Sequence, residues 1–211
     1  MPPRKGAFVV LEGPDKSGKS TQAALLARAL RARGRKVVHT REPGGTRFAE
    51  ALRKVLLDPE HDVHPIAELL LYEAARAQHT HELLKPALGR GEVVVCERFS
   101  LATLVYQGHA RGLPLDVIRR LDRVATGGLA PDLTLILDVP DSAFTRRDPK
   151  RRPDRLERES RLFRLRVRDG YRALGRRQAR TATLDGIRPQ DVVHQDVLRR
   201  VLALLDGRGR R

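Results

Sequence analysis

The strongest constraint on the fold is the glycine-rich segment at residues 13–21, which closely follows an apolar run at residues 7–11. Its sequence, GPDKSGKST, matches the pattern G-x-x-x-x-G-K-[ST]. Glycines in such a segment let the backbone curl so that successive N–H groups point at phosphate oxygens. An amphipathic stretch follows at once, and the positive end of its helix dipole would face the same anion. The order of strand, loop and helix therefore predicts a P-loop that binds a nucleoside triphosphate.

The polar side chains of this loop have expected roles. Lys19 should reach the β- and γ-phosphates, and the Ser20 hydroxyl should help to hold Mg²⁺. The sequence contains no N-K-x-D motif, which argues against a GTPase, and the chain is short for a motor or transporter ATPase. The residues expected to bind ATP are Gly13, Asp15, Lys16, Ser17, Gly18, Lys19, Ser20 and Thr21.

Short apolar runs alternate along the chain with longer amphipathic segments. The runs lie at residues 7–11, 37–38, 93–96, 133–137 and, more weakly, 181–184. They are almost continuously apolar, which is typical of strands buried on both faces. The amphipathic segments lie at residues 19–33, 46–57, 65–88, 101–107, 115–125, 159–176 and 189–205. This alternation predicts one α/β domain over residues 1–211, a three-layer P-loop NTPase fold with about five mainly parallel strands and helices on both faces.

Composition limits where in the cell the protein is expected and which classes of molecule it is expected to bind. No apolar stretch reaches the ~18 residues of a membrane span, and residues 1–6 lack the apolar region of a secretory signal. The single cysteine, Cys96, rules out an intramolecular disulfide and fits a reducing cytoplasm. The net charge of +16 fits either an anionic partner or arginine-rich solvated helix faces. Because aromatic residues make up only 4%, a base-stacking nucleic-acid reader is disfavoured, and we expect neither nucleic acid nor a membrane as partner.

Polar segments follow the second and third apolar runs, where ligands of a parallel sheet bind. Residues 41–46, REPGGT, combine an Arg–Glu pair, a Pro-Gly-Gly turn and Thr46, which should cap a helix. The sequence ERF follows the third run at residues 97–99, and YQG lies shortly after it at residues 106–108. In the long helix predicted between the REPGGT and ERF segments, Tyr72 and Arg76 are four residues apart and share one face. These segments are candidates for a second ligand site beside the P-loop.

A densely charged segment at residues 141–159 follows the fourth run, and Pro149 and Pro153 interrupt any helix there. A basic, partly irregular segment after a strand is typical of a mobile lid that closes over ATP, although a solvated charged loop would have the same composition. Phosphoryl transfer needs in-line positioning and positive charge around the transferred group. Lys19, Mg²⁺ and arginines of the lid would supply that charge.

Over nearly its whole length the sequence resembles the thymidylate kinases, the bacterial enzymes in particular. The shared motifs occur in the family's order and spacing: the P-loop, REPGGT at residues 41–46, AARAQ at 74–78, ERF at 97–99 (the family's D-R-[YFH]), YQG at 106–108, PDL at 131–133 and DRLE at 154–157. The resemblance implies an enzyme that transfers a phosphoryl group from ATP to dTMP in the presence of Mg²⁺. It also implies a homodimer formed by helix packing.

The resemblance further implies a role for each matching residue. Asp15 would contact the 3′-hydroxyl of dTMP, and Arg98 the acceptor phosphate, with Arg41 as a second phosphate ligand. Tyr72 replaces the family's usual Phe and would stack on thymine, and Arg76 would hydrogen-bond the base. Thr103 and Gln107 would lie near the base. Tyr106 would pack under the deoxyribose, where it would disfavour a 2′-hydroxyl. Structural roles stay open for Tyr72 and Tyr106 as core residues and for Arg76 as the partner of a structural carboxylate.

Two departures from the family bear on the chemistry. Glu97 stands where most members have Asp, so the carboxylate that helps to organise Mg²⁺ is one methylene longer. The family has two layouts, one with a basic P-loop residue and one with a lid arginine, and this chain has both, Lys16 and Arg151 or Arg152. We hypothesise that the lid dominates, because Arg offers phosphate a planar fork and Lys only a point charge. The predicted catalytic residues are Asp15, Lys19, Arg98, Arg151 and Arg152, and the predicted metal ligands are Ser20 and Glu97.

Two other functions remain open on the sequence alone. A kinase for another deoxynucleoside monophosphate would share the fold and differ in its base pocket, and Tyr72 and Glu97 leave room for it. A P-loop ATPase that binds nucleic acid is suggested by the net charge, and its affinity for DNA or RNA would fall steeply with salt.

Overall fold

The computed structural model describes residues 6–143 and 154–208, which include a parallel sheet of five strands. The strands are β1 (Ala7–Glu12), β2 (Val37–Arg41), β3 (Val93–Glu97), β4 (Leu133–Asp138) and β5 (Thr181–Asp185). Their order is β2-β3-β1-β4-β5, and every neighbouring pair is parallel. The predicted α/β fold is confirmed, and each strand begins where its apolar run begins.

The strand order decides where a ligand can bind. β1 is central, and the chain leaves it first towards β3 and β2 and later towards β4 and β5 on the other side. Connections that diverge in this way open a crevice at the carboxyl ends of the strands. The loop after β1 therefore lies between the segments that follow β3 and β4.

Eight α-helices occur in the described residues: α1 (Lys19–Arg31), α2 (Arg47–Leu57), α3 (Pro65–His79), α4 (Lys85–Gly89), α5 (Ser100–Thr103), α6 (Leu115–Thr126), α7 (Arg161–Gly175) and α8 (Gln190–Arg208). The predicted helix at residues 65–88 consists of α3, a π-helical segment Thr80–Leu84 and α4. A second π-helical segment, Leu104–Ala110, continues α5 and replaces the end of the helix predicted at residues 101–107. A 3-10 turn, Asp141–Ala143, follows β4.

Alternate residues of β1 face different helical layers. Val9 and Leu11 are fully buried in a core cluster with residues of α1 and α8. Phe8 and Val10 point to the other face, where they pack with residues of α4 and of the π-helical segment before it. This alternation follows from the period of two along a strand, and it accounts for helices on both faces of the sheet.

Local capping places the loop after β2. The Thr46 hydroxyl accepts a hydrogen bond from the Ala49 N–H at 3.2 Å, so Thr46 caps α2 as the sequence predicts. Gly45 has a positive φ of 83°, and a Cβ atom there would lie 2.4 Å from the Thr40 hydroxyl oxygen. The loop therefore needs glycine both for its backbone conformation and for its close contact with β2. No helix in the described ranges 6–143 and 154–208 combines the length and apolarity needed to cross a membrane.

Candidate active site

A cleft of about 530 Å³, partly open to solvent, lies beyond the carboxyl ends of the central strands. It is bordered by the P-loop, by the loop after β2, by α3 and by the segment that follows β3. The residues that line it are Asp15, Glu42, Pro43, Arg53, Leu57, Tyr72, Arg76, Arg98, Ala102, Thr103, Tyr106, Gln107, Asp154 and Leu156. Of the eight predicted acceptor-site residues, seven line this cleft and Arg41 does not.

The P-loop has the backbone that phosphate binding requires. Gly13 has a φ of 136°, and a Cβ atom there would lie 2.4 Å from the Leu137 carbonyl oxygen of β4. Gly18 is left-handed and directly precedes α1, so the first turn of that helix opens towards the loop. The Lys19 ammonium folds back over the loop and donates to the Pro14 carbonyl at 2.6 Å. Burial, together with the charge of Arg98, lowers the pKa of Lys19 to about 7, so a bound anion would favour the protonated amine.

Arg98 connects the P-loop to the cleft. Its backbone φ is 68°, an unusual value for a residue other than glycine. One guanidinium nitrogen donates to the Gly13 carbonyl at 3.0 Å and to the Tyr171 hydroxyl at 2.8 Å. The other donates to Asp15 Oδ1 at 2.5 Å and to the Tyr106 hydroxyl at 3.1 Å. Three residues predicted to act on the acceptor, Asp15, Arg98 and Tyr106, thus form one hydrogen-bonded cluster.

The charge state of Asp15 follows from this cluster. Burial opposes ionisation, but the charges of Arg98 and Lys19 outweigh it and bring the pKa of Asp15 below its ordinary value. The Tyr106 hydroxyl donates to Asp15 Oδ2 at 2.9 Å, which further favours the carboxylate. Asp15 is therefore an ionised acceptor that faces the cleft between the P-loop and Tyr106.

Glu12 and Tyr171 support the cluster from the buried side of Arg98, and the sequence analysis predicted a role for neither residue. Glu12 is fully buried at the end of β1 and accepts hydrogen bonds from the Tyr171 hydroxyl and the Phe99 N–H, each at 2.8 Å. Burial raises the pKa of Glu12 despite these donors. The one signal available was a glutamate at the end of an apolar strand, whereas its partner on α7 is 159 residues away.

Arg76 lies in the cleft wall and is also bound to carboxylates. It donates to Glu42 and Glu73 at 2.8 Å each, and to Asp122 at 3.1 Å. A fourth hydrogen bond reaches the Thr103 hydroxyl at 2.8 Å. The structural alternative raised for Arg76 is therefore observed, and the same side chain borders the predicted base site. With four of its five N–H groups donated within the described residues, Arg76 is held rigidly.

Glu73 makes the stability of this network depend on pH. Burial raises the pKa of Glu73 to about 7, with Asp122 and Glu42 adding to the shift, and its second carboxylate oxygen has no hydrogen-bond partner among the described residues. A raised folded-state pKa stabilises the protein at pH values below the ordinary pKa of 4.5, and the stabilisation is lost as pH rises through about 7. Glutamine keeps the bond to Arg76 without a charge.

We expect Glu73→Gln to increase the free energy of unfolding by about 1–3 kcal/mol near pH ~8 and to change it little near pH ~4.5. Urea denaturation at both pH values measures the effect. The matched control is Glu82→Gln, because the exposed Glu82 accepts a hydrogen bond from Gln78 at 2.7 Å. Equal effects of the two substitutions at both pH values would contradict the assignment.

The two predicted metal ligands meet at the edge of the P-loop. The Ser20 hydroxyl at the start of α1 contacts the Glu97 carboxylate at the end of β3. A hydroxyl and a carboxylate are hard oxygen donors of the kind that Mg²⁺ prefers. No group of three or more His, Cys, Asp and Glu residues suited to a metal occurs in the described parts of the chain. Mg²⁺ commonly takes one or two protein ligands and completes its shell with nucleotide phosphates and water.

Arg53, which was not predicted, lines the cleft, and the predicted phosphate ligand Arg41 does not. Arg41 is half exposed and its guanidinium pairs with Glu50 at 3.2 Å, outside the cleft. Arg53 on α2 lines the cleft instead and donates to the Pro43 carbonyl at 2.8 Å. Sequence reasoning missed Arg53, although its position seven residues after the α2 cap was a usable signal. The predicted catalytic arginines Arg151 and Arg152 lie outside the described residues.

The last part of the predicted lid, residues 154–159, is anchored beside the cleft. Arg155 donates to the Leu56 carbonyl at 2.9 Å and to Glu68 at 2.5 Å. Glu68 is fully buried and also accepts hydrogen bonds from Arg111 and, at 2.7 Å, from Gln107. Hydrogen bonds outweigh the burial that would raise the pKa of Glu68, so its pKa lies below the ordinary value. The predicted base residue Gln107 and the end of the lid region thus share one carboxylate.

The central-strand P-loop and the adjoining cleft define a class of protein. The loop is built for the phosphates of one nucleotide, and the cleft offers Asp15, Arg98 and aromatic rings to a second anionic molecule. Such an arrangement is that of a P-loop nucleotide kinase, in which donor and acceptor meet at the carboxyl edge of a parallel sheet.

Comparison with known proteins gives the particular family. Residues 11–197 match the family model described as thymidylate kinase. The thymidylate kinases of Pelotomaculum thermopropionicum and Methylococcus capsulatus are 46% and 48% identical to the chain over 207 and 204 residues, covering 96% of this chain in each case and 96% and 98% of those proteins. The crystal structure of thymidylate kinase from Ehrlichia chaffeensis aligns with a TM-score of 0.75 at 31% identity, over 92% of this chain and 97% of that one. The chain belongs to the thymidylate kinase family.

Proposed function

We propose that the protein phosphorylates dTMP to dTDP with ATP as donor. The observation that carries the proposal is the Arg98 cluster, which links the P-loop carbonyl of Gly13 to two acceptor-site side chains, Asp15 and Tyr106. A guanidinium at this point can bind an acceptor phosphate directly beside the donor phosphates. The family membership and the seven predicted residues in the cleft support the same assignment.

The residues divide the work of phosphoryl transfer. Lys19 and the P-loop N–H groups hold the donor phosphates, and Arg98 holds the acceptor phosphate in line with them. Asp15 accepts a hydrogen bond from the 3′-hydroxyl, while the Tyr106 ring leaves no room for a 2′-hydroxyl. Ser20 and Glu97 would hold Mg²⁺, which supplies charge neutralisation for the transferred group when it is bound. No enzyme nucleophile is needed.

The test is an assay of ADP release with ATP and Mg²⁺ against dTMP, dUMP, the ribose form of TMP, dCMP, dGMP and AMP. We expect the highest kcat/KM with dTMP, a lower value with dUMP and a poor value with the ribose form. Higher turnover with another monophosphate would overturn the assigned base pocket and leave the P-loop role intact. Affinity for DNA or RNA without turnover of any acceptor would favour the nucleic-acid ATPase.

We also propose that arginine from the lid, rather than Lys16, meets the transferred phosphoryl group. Arg152→Ala should lower kcat about 10-fold further than Lys16→Gly does, because a planar guanidinium makes paired hydrogen bonds to phosphate. Steady-state kcat for both variants at saturating ATP and dTMP measures this. A larger loss in the Lys16 variant would reverse the assignment.

An exposed apolar surface supports the homodimer. Phe48 on α2, Leu70 on α3 and Val124 on α6 are 52%, 49% and 82% exposed, and α3 packs against both other helices. A surface of this kind on adjacent helices is typical of a protein–protein interface. Sedimentation equilibrium at micromolar concentration tests the assembly, and a monomer would overturn it.

The buried thiol of Cys96 supports a cytoplasmic location, where thiols stay reduced.

A further inference from the structure

Both oxygens of the Glu97 carboxylate have a partner. Oε2 accepts the hydroxyl hydrogen of Ser20, and Oε1 lies 3.0 Å from Nε2 of His39. The Glu97 side chain is 15% exposed and that of His39 is 27% exposed, so the contact is partly shielded from water at the edge of the site. Burial opposes ionisation of Glu97, but the hydrogen bonds from His39 and Ser20 bring its pKa below the ordinary value. Since a carboxylate can only accept, Nε2 of His39 carries the hydrogen.

Strand register explains why His39 is the partner. In the parallel pairing of β2 with β3, His39 lies opposite Val95, and Arg41 lies opposite Glu97. Residues two apart on a strand share a face, so both basic side chains are on the side of Glu97. Arg41 is drawn away by Glu50 at 3.2 Å, and Glu50 is itself fixed by the Gly45 N–H at 3.0 Å. His39 therefore remains as the donor that the neighbouring strand gives to Glu97.

Glutamate at this position creates a need for such a donor. Its side chain has one more rotatable bond than aspartate, so its carboxylate can occupy more positions unless something holds it. We propose that His39 is a positioning residue for the metal-dependent step, because it fixes one oxygen of Glu97 and so directs the other oxygen to Ser20. This inference rests on the proposed function, which places Ser20 and Glu97 at the metal that accompanies ATP.

Two amide substitutions distinguish positioning from mere bulk. His39→Gln places its amide nitrogen where Nε2 of the imidazole lies, whereas His39→Asn places the same group at the shorter reach of Nδ1. We expect His39→Asn to raise the half-saturating Mg²⁺ concentration for ATP binding by about 10-fold, and His39→Gln to change it by less than about 2-fold. Calorimetric titration of ATP at several Mg²⁺ concentrations, without dTMP, gives this value and needs no turnover.

The control and the coupling test complete the design. His81→Ala removes an exposed histidine from the π-helical segment after α3 and should leave the Mg²⁺ dependence unchanged. In a Glu97→Asp background the contact is broken, so adding His39→Asn should change the half-saturating Mg²⁺ concentration by less than about 2-fold. In nucleotide-free protein, imidazole ¹⁵N shifts should report a hydrogen on Nε2 of His39, and melting temperatures verify that each variant is folded.

The outcomes separate this inference from the proposed function. Equal effects of the Asn and Gln substitutions, or a full additional effect of His39→Asn in the Glu97→Asp background, would overturn the positioning role. Neither result would touch the function, since ATP binding is measured without an acceptor. Conversely, a wild-type protein that binds ATP with Mg²⁺ but fails to phosphorylate dTMP would overturn the proposed function. The effect of the His39 substitutions on the Mg²⁺ dependence of ATP binding could still be measured.

Discussion

Arg98→Lys should lower kcat/KM for dTMP by about 1000-fold, the loss expected when a preorganised donor that holds the reacting phosphates in place is removed. The reason is geometric, because lysine keeps the charge but has a single nitrogen in place of the fork that now makes four hydrogen bonds. Asp15 and Tyr106 would lose a shared donor, and the acceptor phosphate would lose a rigidly held cation. Steady-state kinetics with dTMP varied at saturating ATP measures the change.

The matched control for this substitution is Arg90→Lys. Arg90 forms a paired contact with Glu92 at 3.0 and 2.9 Å, but it lies on the surface away from the cleft. The same chemical change there should leave kcat/KM for dTMP within about 2-fold of wild type. If Arg98→Lys retained more than about a tenth of wild-type kcat/KM, the assigned phosphate role would be wrong.

Glu68→Gln should cause a large loss of stability, because Glu68 is a buried, paired carboxylate beside the cleft. Glu68 is fully buried and is paired with Arg111 and Arg155, whose side chains are 15% and 11% exposed. Removing its charge leaves Arg155 without its carboxylate partner and Arg111 with Glu159 alone, for a loss of about 3–5 kcal/mol in the free energy of unfolding. For a chain of this length the melting temperature should fall by about 10 °C.

Thermal and urea denaturation measure this loss, and Asp116→Asn is the control. Asp116 also pairs with one arginine, Arg120 at 3.2 Å, but their side chains are 63% and 81% exposed. Its substitution should cost less than about 0.5 kcal/mol. A loss at Glu68 no larger than that of the control would mean that the buried pairs are offset by their own desolvation.

Much of the architecture could be predicted from the sequence because it depends on local patterns. Strands buried on both faces read as continuous apolar runs, and amphipathic helices have a period of 3.6 residues. The P-loop is similarly local, since the glycines, Lys19 and the first turn of α1 lie within nine residues. The Thr46 cap and the face shared by Tyr72 and Arg76 also depend only on neighbours along the chain.

The rest required contacts between distant segments. Glu12 and Tyr171 are 159 residues apart, and Glu68 and Arg155 are 87 residues apart, so no local pattern links them. The π-helical segment that carries Tyr106 and Gln107 read as an ordinary helix, because a shift from one hydrogen-bond spacing to another leaves little trace in composition. The position of Arg41 in the chain predicts a phosphate ligand, and only the structure shows that its guanidinium pairs with Glu50 outside the cleft.

The sequence by itself determined that the sheet is parallel, that a phosphate-binding loop follows β1 and that the acceptor-site motifs are those of the thymidylate kinases. Each of these features is encoded by residues close together in the chain. Only the tertiary structure decided which side chains from distant segments contact one another in the site. The strand order puts β1 between β3 and β4, and the register of β2 on β3 brings His39 to Glu97. Burial and charged neighbours together shift the pKa values of Asp15, Glu73 and Lys19, and some of those neighbours, such as Arg98 and Asp122, are distant in sequence. Low polarity and short distances make these electrostatic interactions strong.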